Sequence, residues 1–417
     1  MSTQYATLKG FADLYGRELA AYTLMEATAR RVFTRSCYEE IRPPLLEATS
    51  LFQRGIGEET DVVRKEMFTF YDRKGRSITL RPEATAGVLR AAIEGGLARP
   101  GHIARLYTIG PMFRYERPQK GRMRQFHQIN AECLGSDSPF ADAGLICMLM
   151  EFLNELGLGS LVLKLNSLGC RKCRPAYLKL LKDYFKSLKN TQFCDDCQRR
   201  METNPLRVLD CKTDQTLLAE APKFLDHICE ECKTHFWQVR ELLDSAALPY
   251  ELAHHLVRGL DYYCRTTFEV VSGSIGAQTA VAGGGRYDGL VAQLGGHDIP
   301  GAGFACGMER LALLVESVEA EPPDFYILGL DGEARNAAWL LAHRLHQTGY
   351  SGEINYADAS LKSLMRQVTR SGARFCLLIG PDEMASRKIT VKNMQDGSQT
   401  ELMLDNAIAE FEAICKK

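Results

Sequence analysis

The run Leu256-Val257-Arg258-Gly259-Leu260-Asp261-Tyr262-Tyr263 sets a lone cation beside two aromatic hydroxyls, with a glycine between them. A guanidinium is permanently charged and offers a planar fork to carboxylate or phosphate oxygens, while a tyrosine joins an apolar ring to a polar tip. Taken alone, the run also suits a solvated arginine between two half-buried tyrosines. A second constellation lies upstream, where Phe113-Arg114-Tyr115-Glu116 and Gln125-Phe126-His127-Gln128 flank a polar loop over 116–124. If these runs are arms of a hairpin, alternation points Arg114 and Glu116 one way and Phe126 and Gln128 likewise across the ladder. That floor would let a base stack on Phe126 while Arg114 grips a phosphate, although a salt-bridged exposed hairpin has the same composition.

A third group is made of thiols. Of 14 cysteines, Cys170, Cys173, Cys194, Cys197, Cys211, Cys229 and Cys232 fall between residues 170 and 232. Three Cys-x-x-Cys pairs have the gap that lets two thiolates reach one tetrahedral zinc, and Cys211 adds a further ligand, yet seven thiols define no pairing. In a long chain these are thiols or metal ligands sooner than a disulfide framework.

The elements that must position these groups follow from periodicity. Residues 17–36 repeat apolar side chains at helical spacing, and 38–46 is extended chain broken by Pro43-Pro44. Runs at 67–71 and 77–81 predict a hairpin, 84–95 a helix, and 103–115 with 125–134 a long hairpin with a basic tip. A helix over 139–156 and a strand over 160–165 precede the cysteine-rich stretch. Strands return at 264–272 and 277–282, before Gly283-Gly284-Gly285, and again at 301–306, followed by a helix over 308–317. Strands and helices without regular alternation predict an α+β domain on an antiparallel sheet. Glu319-Ala320-Glu321-Pro322-Pro323 is the candidate linker. Beyond it strands at 325–330, 353–356 and 374–379 alternate with helices at 334–348 and 359–371. Strand-like runs near 388–393 and 400–404 close what is predicted as an α/β module with a mostly parallel sheet.

Composition bounds the setting. At 417 residues the chain exceeds one ordinary core, and 45% hydrophobic with 25% charged residues is the balance of globular proteins. No stretch approaches the roughly 20 apolar residues of a membrane helix, and MSTQYATLKGFADLYGRE has no signal core, so a cytoplasmic protein without membrane partners is expected. A net charge of −1 leaves any nucleic acid to local basic patches.

Several runs together resemble one family. Phe113 to Glu116 resembles motif 2 of class II aminoacyl-tRNA synthetases, Gly301 to Arg310 motif 3, and the region of Pro43-Pro44 motif 1; class I signatures are absent. Leu256 to Tyr263 and Ala280 to Gly289 are similar to the two peptides characteristic of histidyl-tRNA synthetases, and Leu80 to Thr85 and Arg117 to Arg122 also match. The resemblance covers almost the whole chain. It implies an antiparallel-sheet class II catalytic domain (1–168 and 246–320) with a helical cysteine-rich insertion (169–245), then an α/β anticodon-binding domain (323–417).

The resemblance also implies an activity. Histidine and ATP, the latter with Mg²⁺, would give histidyl-adenylate and pyrophosphate, and the histidyl group would pass to the 3' end of its tRNA. Arg258 and Arg114 would be the catalytic cations. Glu83, Ala84, Thr85, Gln128, Glu132, Tyr262 and Tyr263 would bind histidine, with Glu132 and Tyr263 at the imidazole; Ala84 stands where glycine is common in this motif. Arg114, Glu116, Phe126 and Arg310 would bind ATP, with Phe126 and Arg310 on either side of adenine. Arg117 and Gln119 at the hairpin tip, and Lys362, Arg366 and Arg370 on one helix opposite Leu361, Leu364, Met365 and Val368, would bind tRNA. A homodimer comes with motif 1. Many relatives fold the insertion without metal, so structural zinc stays open. Two rivals stand beside this reading. A non-catalytic paralogue, such as a regulatory subunit of ATP phosphoribosyltransferase, predicts eroded motif 2 residues and no anticodon domain. A metal-dependent RNA-binding protein built on the cysteines leaves the dispersed motifs unexplained.

Overall fold

A computed structural model describes residues 5–57, 60–188, 193–211, 213–273, 280–316 and 322–416. The chain divides into two compact units, Met1–Val318 and Glu319–Lys417. Residues 319–321 of the candidate linker, 277–279 of a predicted strand and Ser317 lie outside the described residues.

In the first unit the strands are β1 (Glu39–Glu40), β2 (Leu46–Ala48), β3 (Phe68–Tyr71), β4 (Ser77–Leu80), β5 (Ala104–Phe113), β6 (Gln125–Leu134), β7 (Val162–Ser167), β8 (Glu251–Leu252), β9 (Cys264–Val271), β10 (Ala280–Arg286) and β11 (Gly301–Gly307). Eight of them make one sheet in the order β1-β5-β6-β11-β10-β9-β7-β8, and β2-β4-β3 make a small one. Every pair from β5 to β7 is antiparallel, and only the two edge strands, β1 and β8, run parallel to their neighbours. The helix Gly16–Arg35 turns Tyr22, Met25, Ala29, Val32 and Phe33 inward, and with Pro139–Glu155 it covers one face of the sheet in a shared core. Ser138 caps the latter helix on the Phe140 amide, with Pro139 in the first turn, where its missing N–H costs nothing.

The long hairpin is in register from Ala104↔Leu134 to Phe113↔Gln125. The ladder ends there, so strict strand alternation does not place Arg114 and Glu116. Arg114 still donates its amide to Arg124 O, but the Tyr115 amide turns away to Glu66 O and the Glu116 amide to Arg114 O. Two other expectations change. The glycine run lies inside β10, because Gly284 is pressed against the Gly303 carbonyl, Phe304 Cβ and the Phe268 ring, where a side chain has no room. The helix predicted over 308–317 is regular only over Met308–Leu311 and then loosens into turns whose bonds mix three- and four-residue spacing.

Residues 174–245 form helices Arg174–Ser187, Asp195–Thr203 and Glu230–Ser245 with 3₁₀ turns Pro205–Asp210 and Phe224–His227. Their buried Tyr177, Phe185, Val208 and Phe224 share a core with Leu89, Leu134 and Tyr287 of the sheet region.

The second unit holds β12 (Phe325–Gly329), β13 (Gly352–Ile354), β14 (Phe375–Ile379), β15 (Lys388–Asn393) and β16 (Gln399–Met403), in the order β13-β12-β14-β15-β16. The sheet is mixed, not mostly parallel: β12 runs parallel to β13 and β14, whereas β14-β15 and β15-β16 are antiparallel. The connection from β15 to β16 is a short turn, which permits only an antiparallel return. Helices Gly332–Gln347 and Leu361–Ser371 are capped by Asp331 and Ser360. Among the described residues no helix is long and apolar enough to cross a membrane.

Candidate active site

Three separated segments meet at one cavity of about 490 Å³ in the first unit: the loop before helix Thr85–Glu94, the β5-β6 hairpin with its partner β11, and the stretch from Arg258 to β10. Arg81 joins the first two. Its guanidinium donates to Pro111 O at 2.9 Å and Pro43 O at 3.1 Å, and its carbonyl accepts from the Phe113 amide at 2.9 Å. The proline-broken segment, the loop and the hairpin are thus tied through one buried cation. Glu309 does the same for the short helix Met308–Leu311: its carboxylate accepts from the His127 amide at 2.8 Å, which fixes Arg310 beside the hairpin.

Glu83, Thr85, Arg114, Glu116, Phe126, Gln128, Arg258, Tyr262, Tyr263 and Arg310 all line this cavity. Arg114 donates to Pro82 O at 2.8 Å and stands 5.3 Å from the Phe126 ring centroid. Glu116 pairs with Arg122 and faces Arg114 at 4.0 Å. Arg310 donates to Ala280 O at 2.7 Å. Arg258 pairs with Glu269 at 2.7 Å, and a Cβ on Gly283 would collide with its guanidinium. Gly283 is thus the space in which the cation sits.

Glu132 lies under the cavity floor, 1% exposed, and takes hydrogen bonds from Thr85 Oγ1 at 2.7 Å and from the Tyr287 hydroxyl. Burial pushes its carboxyl up to about 8, against the pull of those two donors. A Cβ on Gly303 would overlap Glu132 Oε2, so the buried acid depends on that glycine. Glu83 caps the helix Thr85–Glu94, accepting from the Thr85 and Ala86 amides at 2.6 and 2.9 Å, and its carboxyl is also raised by burial. Ala84 is buried in right-handed helical backbone (φ −96°, ψ −30°), which any residue adopts, so no glycine is required there.

Among the described residues, the wall's buried polar atoms without a hydrogen-bond partner include Gln128 Oε1, Asn130 Oδ1 and Arg258 Nε. A protein interior satisfies nearly all such groups, and those left over in a cavity await a ligand. Asn130, Tyr287, Glu269 and Glu309 escape the sequence reading: Tyr287 and Glu309 act through Glu132 and His127, more than 150 residues away, and no local signal marks Asn130 or Glu269. Arg200 and Arg207, from 195–210, also line the cavity, with Arg200 paired to Asp61 at 3.0 Å.

Arg117 and Gln119 do not line the main cavity but an adjoining shallow depression at the hairpin tip, which shares Glu66, Glu116 and Arg122 with it. In the second unit Lys362, Arg366 and Arg370 are exposed on helix Leu361–Ser371 while Leu364 and Val368 are buried. Leu361 is 49% exposed and does not belong to the buried stripe, because it opens the helix before the first full turn reaches the sheet. The cysteines sort into two groups: Cys170, Cys173, Cys229 and Cys232, and Cys194, Cys197 and Cys211 with Asp214.

Comparison with known proteins places almost the whole chain. Residues 10–311 match the family model for histidyl-tRNA synthetase, and residues 324–414 match that for an anticodon binding domain. The chain belongs to the histidyl-tRNA synthetase family. It is 57% identical over 406 residues to the histidine–tRNA ligase of Nitratidesulfovibrio vulgaris (strain DP4), covering 97% of both chains. It is 51% identical over 401 residues to that of Geobacter metallireducens, covering 95% of this chain and 97% of the relative. The crystal structure of the apo histidyl-tRNA synthetase of S. aureus superposes with a TM-score of 0.82 at 35% identity, covering 98% of this chain and all of that one. An ATP phosphoribosyltransferase regulatory subunit/histidyl-tRNA synthetase from Bacillus halodurans shares the fold at 18% identity and a TM-score of 0.66. This synthetase is accordingly a histidine–tRNA ligase, activating histidine with ATP and transferring it to tRNA.

Proposed function

We propose that the cavity joins histidine to AMP, with the imidazole at the Glu132 end and ATP over the hairpin. In this reading Glu132 and Tyr263 take the ring nitrogens, and Glu83, Thr85, Gln128 and Tyr262 surround the amino group, with Ala84 supplying backbone. Phe126 and Arg310 hold adenine, and Glu116 reads its amino edge. A buried acid raised to about 8 suits a ligand that brings its own N–H donor, because the incoming ring compensates the desolvated carboxylate.

The chemical difficulty is anionic. A histidine carboxylate attacks the α-phosphorus, the bond to pyrophosphate breaks, and negative charge gathers on the non-bridging oxygens. Arg258 and Arg114 meet that charge from a preformed, partly buried wall, where donors count for more than in water. Magnesium arrives with ATP as substrate. Glu66, whose carboxyl is raised by burial and by Glu116, provides hard oxygen donors on the same wall.

The observation that carries this reading is the trio of unpartnered atoms, Arg258 Nε, Gln128 Oε1 and Asn130 Oδ1, around one cavity. Histidine-dependent ATP–pyrophosphate exchange tests it. Arg258→Ala is expected to lower kcat about 10²–10³-fold, the loss that follows removal of one oxyanion donor. A near-normal rate rejects the role.

For tRNA, the reading assigns Arg117 and Gln119 to the acceptor end and Lys362, Arg366 and Arg370 to the anticodon end. It keeps the catalytic segments 1–168 and 246–320, the insertion 169–245 and the anticodon-binding segment 323–417 as the working domains. A homodimer, tested by sedimentation equilibrium, comes with the motif 1 resemblance, and a reducing cytoplasm suits 14 unpaired thiols.

A further inference from the structure

We propose that residues 169–245 hold two zinc ions. One is bound by Cys170, Cys173, Cys229 and Cys232, the other by Cys194, Cys197, Cys211 and Asp214. The second ion, on the reading that the cavity is the histidine–ATP site, positions the arginine-bearing part of its wall.

The distances are those of ligands around one small ion. A tetrahedron with Zn–S bonds of about 2.3 Å has edges of about 3.8 Å. In the first group Cys170 and Cys173 sulfurs are 3.6 Å apart, Cys170 and Cys229 3.9 Å, and Cys173 and Cys232 3.9 Å. In the second, Cys194 and Cys211 sulfurs are 3.7 Å apart and Cys211 Sγ lies 3.6 Å from Asp214 Oδ2. Within each group all ligand atoms lie within 4.8 Å of one another. These separations are too long for a disulfide bond of about 2.05 Å and too short to surround an iron–sulfur cluster.

The backbone is arranged for thiolates. Cys173, Cys194 and Cys229 each stand immediately before a helix (Arg174–Ser187, Asp195–Thr203 and Glu230–Ser245), and Cys197 and Cys232 lie in the first turns of the last two. Helix N-termini stabilise negative sulfur. The Cys229 amide donates to Cys173 Sγ at 3.1 Å, and Gly169 (φ +55°) leaves the space that Cys173 and Phe224 fill. Asp214 is the independent clue. It is 5% exposed, accepts from the Cys194 amide at 3.1 Å, and among the described residues pairs with no cationic side chain. A buried carboxylate amid three sulfurs is costly unless a cation joins it. On binding, four thiol protons leave the first site and three leave the second, and each site carries a net charge of −2.

The two sites do different work. The first ties the start of the inserted segment to its end, joining Cys173 to Cys229 across a sequence separation of 56. The second clamps helix Asp195–Thr203 to the turn Pro205–Asp210. That helix carries Arg200, the turn carries Arg207, and between them Asn204 donates to Asp261 at 2.6 Å, three residues from Arg258. Small helical segments with modest cores are commonly held by such staples.

Metal analysis of the full-length protein, purified without added metal and dialysed against a weak chelator, is expected to give two zinc ions per chain. Cys232→Ser and Cys211→Ser are each expected to retain one, and Asp214→Cys both. Replacement by Co²⁺ should give thiolate charge-transfer and tetrahedral d–d bands, with a red shift in Asp214→Cys as sulfur replaces oxygen. Less than half a zinc per chain in the wild type, iron in its place, or two ions retained in Cys211→Ser would overturn the assignment. If a variant fails to fold, the wild-type count and cobalt spectrum decide. Asp214→Ala is expected to raise the KM for ATP about tenfold with kcat nearly kept, as for a displaced binding wall. Unchanged KM values reject the positioning role. Wild-type protein that holds two zinc ions but lacks pyrophosphate exchange rejects the cavity reading and not the metal.

Discussion

Glu132 is the residue at which burial, chemistry and stability meet. Its carboxyl is raised from 4.5 to about 8 by burial, and the Thr85 and Tyr287 hydroxyls only partly offset this. Between those two values the folded protein therefore binds more protons here than the unfolded chain does. The stability linked to this group is full below about 4.5 and is lost as pH rises through about 8. Glu132→Gln keeps the shape and removes the titration. In ligand-free protein its stability relative to wild type is expected to rise between pH 5 and 8 and level off above, measured by urea unfolding at each pH. A difference that is flat across this range would mean that Glu132 does not take up a proton on folding. The acid itself could be proposed from sequence because it lies on a strand of the matching motif. Its dependence on Gly303 and Tyr287 could not, since both reach it across β11 and β10 and nothing near Glu132 in the chain signals them.

At the scale of elements, legibility follows how local the determining forces are. Helix Gly16–Arg35 and the β5-β6 hairpin are written in their own periodicity, and the sequence places them within one or two residues. Strand β10 is not. The predicted strand stops before the three consecutive glycines, yet Phe268, Phe304 and Arg258 fill the space their missing side chains leave. The pairing of the cysteines is equally invisible, because Cys173 and Cys229 meet across a sequence separation of 56, and Asp214 carries no spacing signal. Helix Leu361–Ser371 shows what a local pattern can settle: Leu364 and Val368 go inward and the three cations outward, while Leu361 at the first turn escapes burial. If that basic face meets tRNA, Lys362→Ala/Arg366→Ala/Arg370→Ala should raise the KM for tRNA in aminoacylation. The salt dependence of tRNA binding should flatten by about two to three ions. ATP–pyrophosphate exchange, which contains no tRNA, is the control. An unchanged salt slope would show the face to be merely solvated.

For the molecule as a whole, the separate cores matter most. Phe325, Leu345, Phe375 and Phe411 close a core within the second unit, and the two large cores of the first are built from different residues altogether. Each unit has a buried interior of its own, the condition for cooperative unfolding as a unit. Histidine and ATP, on the cavity reading, contact only residues of the first unit. A ligand that binds one folded unit and not its unfolded state stabilises that unit alone, by about 2.7 kcal/mol at a hundred times its Kd. For a unit of this size that corresponds to a rise of roughly 4 °C in Tm. Calorimetry of the intact chain is therefore expected to resolve two transitions, of which saturating histidine with a non-hydrolysable ATP analogue raises one and leaves the other in place. The Arg114→Ala protein should show a smaller rise in that same transition. A single transition that moves as a whole would mean that the two units share their stability, and that the anticodon end senses whether the catalytic cavity is filled.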